Sequence, residues 1–328
     1  MHLFAELARR TGAVIETGWS RSAVSRALAR AGAGRWPWSR RPIVATTELL
    51  TLDALPLLDR FGRAAVLDVH DHPILQRQAL GAATTQGEAT ALEHRYAENL
   101  ARFELLVVPS LSFGQLARIE AARQIVAPNG TDADHIRPRP FPERPVIGLV
   151  SGAAPGRGIE GLVAAAELVR ASIPELELCL WLAAERNDPY LASLRAATAD
   201  RPWIKIEKAS YEDLPDALAR ATVLTVPHPP GDYMDSALPV KLFDSMAAGR
   251  PVVVTPRREV AAVVRAHGAG LVAAGDRVED FADALLSVLQ DPALAQQLGA
   301  AARRAAESRY DWRIIGARLA DDVLERLR

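Results

Sequence analysis

Cysteine is almost absent. The 328-residue chain carries one, Cys179, so no internal disulfide can form and a reducing compartment is the expected setting. Lysine is nearly as scarce: of 39 basic residues only Lys205, Lys208 and Lys241 are lysines, so arginine is the default cation and a lysine is a mildly informative choice. No stretch approaches the ~20 apolar residues that span a bilayer, and no basic-then-apolar signal pattern opens the chain. These absences predict a cytoplasmic protein. Neither charge sign is in excess, since 39 basic residues face 40 acidic ones for a net charge of -1. That balance offers no global attraction to nucleic acid, and any anion binding must be local. Repeats and low-complexity tracts are also missing.

What the chain has is a globular balance, 49% hydrophobic and 24% charged, with length enough for two domains. Short runs of Val, Ile and Leu alternate with longer amphipathic segments, as expected of parallel sheets covered by helices on both faces. Strands are predicted at 13–17, 42–46, 64–69, 105–110 and 124–128, with helical periodicity at 91–101 and 113–122. The polar stretch 131–145, with Pro138, Pro140, Pro142 and Pro145, reads as the linker. The alternation then restarts with strands at 146–150, 176–182, 204–207, 223–227 and 251–255 and a helix at 158–172. Segments 278–290, 292–309 and 311–328 are predicted helical. The fold class is α/β, with two doubly wound Rossmann-like domains in tandem and a ligand facing the carboxyl ends of the strands.

The stretch from Asp235 to Thr255, Asp-Ser-Ala-Leu-Pro-Val-Lys-Leu-Phe-Asp-Ser-Met-Ala-Ala-Gly-Arg-Pro-Val-Val-Val-Thr, carries the most chemistry. Pro239 suits a first helical turn, Leu242, Phe243 and Met246 form an apolar stripe, and Gly249 ends the helix before a buried strand. A helix N-terminus near Ala237 and Leu238 is therefore expected at the carboxyl edge of the sheet, where free N–H groups and the dipole favour an anion. Lys241 adds a point charge, and Asp244 could accept hydrogen bonds from sugar hydroxyls. An ordinary αβ unit with a solvated Lys and Asp fits the same residues equally well.

This stretch resembles the donor-binding segment of GT-B fold glycosyltransferases, glycosyltransferase family 4. There, two acidic residues separated by seven others lead into a helix ending in Ala-Ala-Gly and a Pro-Val-Val strand. Asp244 matches the second acidic position, which the resemblance assigns to the nucleotide ribose; the first falls on Ser236. Residues 124–132, Gln-Ile-Val-Ala-Pro-Asn-Gly-Thr-Asp, resemble the family's interdomain Pro-Asn-Gly-x-Asp element. Residues 279–312, with Leu289-Gln-Asp-Pro and Tyr310-Asp-Trp, resemble its C-terminal region. Residues 147–158, Ile-Gly-Leu-Val-Ser-Gly-Ala-Ala-Pro-Gly-Arg-Gly, resemble the strand and loop whose basic residues hold the donor diphosphate. Arg157 falls where the family has a Lys, and Gly152 where it has an Arg. A developing diphosphate needs positive charge aimed at it, which makes Lys241 the candidate replacement.

His70 lies in Leu67-Asp-Val-His-Asp-His-Pro, after a predicted buried strand. The resemblance places such a histidine against the transferred sugar; a structural loop histidine is the competing reading, and a metal site with Asp71 and His72 lacks a further spaced ligand pair. His228, directly after strand 223–227, suits a turn as well as a substrate contact. Asp132-Ala-Asp134 spells an acidic triplet but lies in the proline-rich linker, so no obligatory metal and no cofactor beyond the nucleotide-sugar substrate are expected. Between residues 18 and 47 stand Arg21, Arg26, Arg30, Arg35, Arg40 and Arg41, no acid, and Trp19, Trp36 and Trp38. This surface could meet anionic lipid headgroups, a phosphorylated acceptor or only solvent; no nucleic-acid motif accompanies it. Residues 1–10 look like the helix after a family's first strand, so the usual first strand is either upstream or replaced by 13–17.

The reading implied is an N-terminal acceptor-side domain at 1–137, a nucleotide-sugar domain at 138–310, and a helix at 311–328 packing back on the N-terminal domain. The chain is expected to move a sugar from a nucleotide donor to an acceptor, with retention and without metal, at an interdomain cleft. Arg157, Lys241 and His70 are the catalytic candidates, and Gly152, Ser236, Ala237, Leu238, Asp244 and His228 the donor-binding ones. The acceptor is a small molecule, a glycan or a lipid-linked species, with peripheral membrane contact through 18–47. A non-catalytic sugar-nucleotide-binding subunit is the alternative, and a nucleotide-sugar epimerase a weaker third. The glycines at 152, 156 and 158 do not make the spacing of a dinucleotide oxidoreductase.

Overall fold

A computed structural model of the chain describes residues 2–11, 66–81, 83–185 and 187–327. The strands expected at 13–17 and 42–46, the basic stretch 18–47 and the question of a first strand lie outside those residues. The fold forms two compact units, one made of Met1–Gln78, Ala82–Pro128 and Trp312–Arg328, the other of Ala79–Gly81 and Asn129–Asp311.

In the first unit, strands β1 (Val66–Asp68), β2 (Leu105–Val108) and β3 (Gln124–Val126) pair in parallel in that order. Nearly every residue in them is buried, which requires cover on both faces. Val66, Leu105, Val107 and Ile125 pack with Leu3 and with Leu7 of α1 (Ala5–Thr11) and with Ile315, Leu319 and Val323 of the C-terminal helix Trp312–Arg326. Leu67, Leu106 and Val108 pack instead with Tyr96, Leu100 and Phe113. α2 (Pro73–Ala79) follows β1. The 17-residue α3 (Gln86–Arg102), which supplies Tyr96 and Leu100, starts at a capping box in which Thr85 and Glu88 satisfy each other's backbone amides. α4 (Leu111–Leu116) is shorter than the periodicity at 113–122 suggested, because the chain turns at Arg118 with φ 54°.

The second unit holds six parallel strands: β4 (Val146–Gly152), β5 (Glu177–Ala183), β6 (Ile204–Glu207), β7 (Val223–Val226), β8 (Val252–Val254) and β9 (Gly270–Val272). Their order is β6-β5-β4-β7-β8-β9. The chain runs outward from β4 to β6, then returns to the other side of β4 and runs outward to β9. Crossovers on either side of the β4/β7 junction therefore leave in opposite directions, which opens a crevice at the carboxyl ends of those two strands. β9 is an addition to the expected strands; three residues give no periodicity to read.

Helices α5 (Ile159–Ser172), α6 (Pro189–Ala197), α7 (Leu214–Ala219), α8 (Asp232–Ser236), α9 (Val240–Ala247), α10 (Arg258–His267), α11 (Val278–Leu289) and α12 (Pro292–Ala305) cover the sheet. α9 buries Leu242, Phe243, Met246 and Ala247 as its stripe predicts. It ends in a Schellman motif, with the Gly249 amide on Met246 O, the Arg250 amide on Ser245 O and Gly249 at φ +66°. α12 stops at Ala305 and one wider turn, Ala306–Tyr310, leads to the C-terminal helix.

The two units part at Pro128 and Asn129, earlier than the break expected after 137. Prolines remove donors, so 131–145 reads as an unpaired linker, yet arginine side chains bind its carbonyls. Arg303 donates to Ala133 O and Ile136 O, and Arg250 donates to Pro140 O while stacking on Phe141 at 4.3 Å. Ile136 is fully buried in the same core cluster as Phe243. The segment is a strap on the second unit.

Phe243 and Val240 share one helix, but Phe243 is fully buried and Val240 is 41% exposed. Phe243→Ala should cost about 3–5 kcal/mol of stability and Val240→Ala under about 0.5 kcal/mol. Denaturant unfolding of both variants checks this, and equal losses would contradict the packing described.

Candidate functional site

The site grows from the carboxyl ends of β4 and β7. After β4 the chain turns through a loop into α5, whose N-cap is Gly158 at φ +76° with no side-chain cap. A Cβ there would sit 1.7 Å from Pro227 O, so only glycine lets this turn lie against the residues that follow β7. Arg157 is thereby brought beside His228. From the other direction Lys241, on the first turn of α9, donates to the Ser151 hydroxyl near the end of β4 at 3.3 Å. The N-terminus of α9 is likewise without a side-chain cap. Two helix starts with free backbone donors therefore open beside the end of β4.

The electrostatics follow from crowding. Burial, reinforced by Arg157, pushes Lys241 down to about 7. Burial also holds His228 well below its usual range, and Lys241, Arg157 and Arg257 add to that. His228 is 1% exposed, and both its ring nitrogens and Arg157 Nε are buried without a hydrogen-bond partner among the described residues. Buried polar atoms are normally satisfied, so an unpartnered guanidinium N–H and an imidazole N–H beside Lys241 have the character of an anion site. Arg257 is different in kind: it is paired with Asp235 at 3.2 Å and with Asp276.

One turn beyond Lys241, burial pushes the Asp244 carboxyl up to about 7. The Thr131 hydroxyl, donating to its Oδ1 at 2.8 Å, and nearby His135 act in the opposite sense, while Asp132 adds to the rise. Tyr211 stacks on His135 with ring centroids 4.5 Å apart.

The structure thus gathers Arg157, Lys241 and His228, with Asp244 on the same helix as Lys241. Gly152 ends β4, is exposed, and has no heavy atom within 4 Å of where a Cβ would stand. Ser236 is buried and donates its hydroxyl to Tyr233 O inside α8. The helix start expected near Ala237 and Leu238 is corrected to Val240: Ala237 is extended, Leu238 O accepts from Asn129 Nδ2, and the residue before Pro239 is kept out of the α region. Ser151, Thr131 and Arg257 were not anticipated, because their roles depend on partners distant in sequence.

His70 belongs to the first unit, just after β1. Its Nε2 lies 2.6 Å from Oδ2 of Asp68, itself buried. Burial lowers the His70 pKa, but the Asp68 hydrogen bond and charge, with Asp71, raise it above the ordinary value on balance. His72 packs on Tyr96 at 4.7 Å, and burial lowers its pKa.

Residues 144–291 match the family model described as Glycosyl transferases group 1. The chain is 27% identical over 290 residues to the GDP-mannose-dependent alpha-(1-6)-phosphatidylinositol monomannoside mannosyltransferase of Mycolicibacterium smegmatis, covering 81% of this chain and 72% of the relative. It is 29% identical over 228 residues to the Mycobacterium tuberculosis protein of the same description, covering 64% and 57%. Among solved structures, sucrose-phosphate synthase from Thermosynechococcus elongatus superposes with a TM-score of 0.72 at 20% identity, covering 96% of this chain and 82% of that one. Anabaena HepE in complex with UDP-glucose superposes with a TM-score of 0.70 at 17% identity, covering 92% and 82%.

The two shifted groups on α9 have opposite consequences for stability. Lys241 is depressed from 10.5 to about 7, so the unfolded chain holds the extra proton and the penalty is full below pH 7, fading as pH rises toward 10.5. Asp244 is raised from 3.8 to about 7, so its penalty is absent below pH 3.8 and full above pH 7. Thermal melts of Lys241→Met should show stabilisation greatest at low pH, and those of Asp244→Asn stabilisation greatest at high pH. Flat profiles would contradict the burial of both groups.

Proposed function

We propose that the chain is a GT-B glycosyltransferase that transfers a mannosyl residue from GDP-mannose to a phosphatidylinositol-type glycolipid, with retention and without a metal. The observation that carries the reading is the convergence of Arg157, Lys241 and His228 beside two uncapped helix starts at the β4/β7 junction. A glycosyl transfer leaves charge on the departing diphosphate, and preorganised cations and N–H groups aimed there stabilise the transition state. His228, kept neutral, still has one ring N–H to donate. Asp244 takes the ribose hydroxyls, and His70, steadied by Asp68, serves the transferred sugar or the acceptor. The donor and acceptor follow those named for the mycobacterial relatives. An acceptor embedded in lipid also gives the basic, tryptophan-bearing stretch 18–47 a purpose as a peripheral membrane contact.

Lys241 makes nucleotide binding depend on pH. A bound diphosphate stabilises the ammonium form, so binding near pH 8 draws a proton onto Lys241 and affinity declines as pH rises past 7.

The test is turnover by the purified protein with GDP-mannose and phosphatidylinositol monomannoside in mixed micelles, together with calorimetric titration of GDP and UDP. Mannosylated lipid should form. Lys241→Ala should weaken GDP binding about 10- to 100-fold, whereas Lys208→Ala, which removes an exposed lysine, should leave it unchanged. Equal binding by the two variants would remove Lys241 from the site. GDP affinity without transfer or donor hydrolysis would favour the non-catalytic subunit, for which Ser236 and Gly152 stand where the family has an acid and an Arg. Preference for UDP would overturn the choice of donor.

A further inference from the structure

We propose that Thr131 is a positioning residue for nucleotide recognition, whose hydroxyl fixes the Asp244 carboxylate in the orientation that accepts both ribose hydroxyls. This rests on the reading of Asp244 as the ribose ligand.

Thr131 is fully buried, and its hydroxyl donates to Asp244 Oδ1 at 2.8 Å. Its backbone is held independently of that bond. The Thr131 amide donates to Tyr310 O at 2.9 Å, and Thr131 forms a parallel bridge with Asp311. The same segment is tied to both ends of α9. Asn129 Nδ2 donates to Leu238 O at 2.8 Å just before the helix, and Arg303 donates at 2.7 Å to both Ile136 O and Ala247 O at its far end. Residues 129–136 thus run along α9 with attachments at its start, middle and end, and Thr131 is the middle one. A β-branched side chain on so constrained a backbone has little rotational freedom, so its hydroxyl is an aimed donor.

A vicinal diol is held best by a carboxylate that presents both oxygens in one plane. Thr131 takes one acceptor site of Oδ1 and leaves the second site of Oδ1 and all of Oδ2 for the two ribose hydroxyls. Donation to the carboxylate also favours its ionised, acceptor-only form. The other groups facing Asp244 are Asp132, which opposes ionisation, His135, which favours it, and the Tyr211 hydroxyl after β6. Lys241 lies one turn away on its own helix. Thr131 is the one direct hydrogen-bond donor to the carboxylate among the described side chains.

The experiment compares GDP, UDP and their 2′,3′-dideoxy counterparts by calorimetry between pH 6 and 8.5, using the full chain. In the unsubstituted protein the ribose form of the preferred nucleotide should bind more tightly than the dideoxy form. Thr131→Val should lower affinity for the ribose form about tenfold at pH 7 while leaving the dideoxy form within about twofold. Thr131→Ser should restore ribose affinity, and the Thr131→Val deficit should narrow as pH rises, because losing the Thr131 bond raises the Asp244 pKa further. Unchanged discrimination in Thr131→Val, or an equal loss for both ligands, would overturn the proposal. Asp244→Ala separates the two readings. If it too keeps discrimination, the ribose assignment falls and the Thr131 proposal with it; if it loses discrimination while Thr131→Val keeps it, only the Thr131 proposal falls.

Discussion

The second unit is organised around an electrostatic imbalance. Arg157 and Lys241 are crowded into one desolvated neighbourhood with a neutral, unpartnered His228, and no carboxylate is paired with Lys241 there among the described residues. Such an arrangement is unfavourable by itself, so the surrounding fold must hold it in place. The order β6-β5-β4-β7-β8-β9 provides the opening, since the chain must leave β4 and β7 in opposite directions. Gly158 provides the approach, because any Cβ would keep the loop after β4 away from Pro227.

The restraint on this crowding is apolar packing away from the site. Leu242, Phe243 and Met246 root α9 in a core shared with Leu224, Val226 and Val254, so the helix cannot swing Lys241 away from Ser151 without opening that core. Arg303 and Arg250 complete the arrangement by satisfying carbonyls of the proline-bearing strap and of the helix ends. Arg303 meets three carbonyls, whereas fully buried Arg250 places only Nη2 on carbonyls and stacks on Phe141, and burial pushes its pKa down to about 10.

Much of this was legible in the sequence because it is local. The runs at 146–150, 176–182 and 223–227 announce parallel strands by continuous apolarity, and the stripe of α9 with Gly249 announces a helix with a left-handed stop. Arg157, Lys241 and Asp244 were selected from motif order, and the fold gathers Arg157 and Lys241. The features that escaped are those made by partners far apart in the chain. Thr131 reaches Asp244 across 113 positions, and Lys241 reaches Ser151 across 90. The strap at 131–145 looked like a linker because a proline-rich sequence displays its missing donors, whereas the arginines that bind its carbonyls lie far downstream. The start of α9 slipped past Leu238 because Asn129 claims the Leu238 carbonyl, another distant partner.

The choice of lysine at 241 is explained by the same imbalance. This chain writes positive charge as arginine, and its other two lysines, Lys205 and Lys208, are exposed. An arginine at 241 would stay charged at any physiological pH, placing a second permanent cation beside Arg157 in a poorly hydrated space. Lysine can release its proton there, since burial and Arg157 bring it to about 7. On the proposed reading, this relieves the neighbourhood of Arg157 of a second charge until a diphosphate binds. Arg250 and Arg303 lie elsewhere and donate to backbone carbonyls that are part of the fold itself. Arg157 supplies the permanent charge of the pair, and Lys241 the one that can be released.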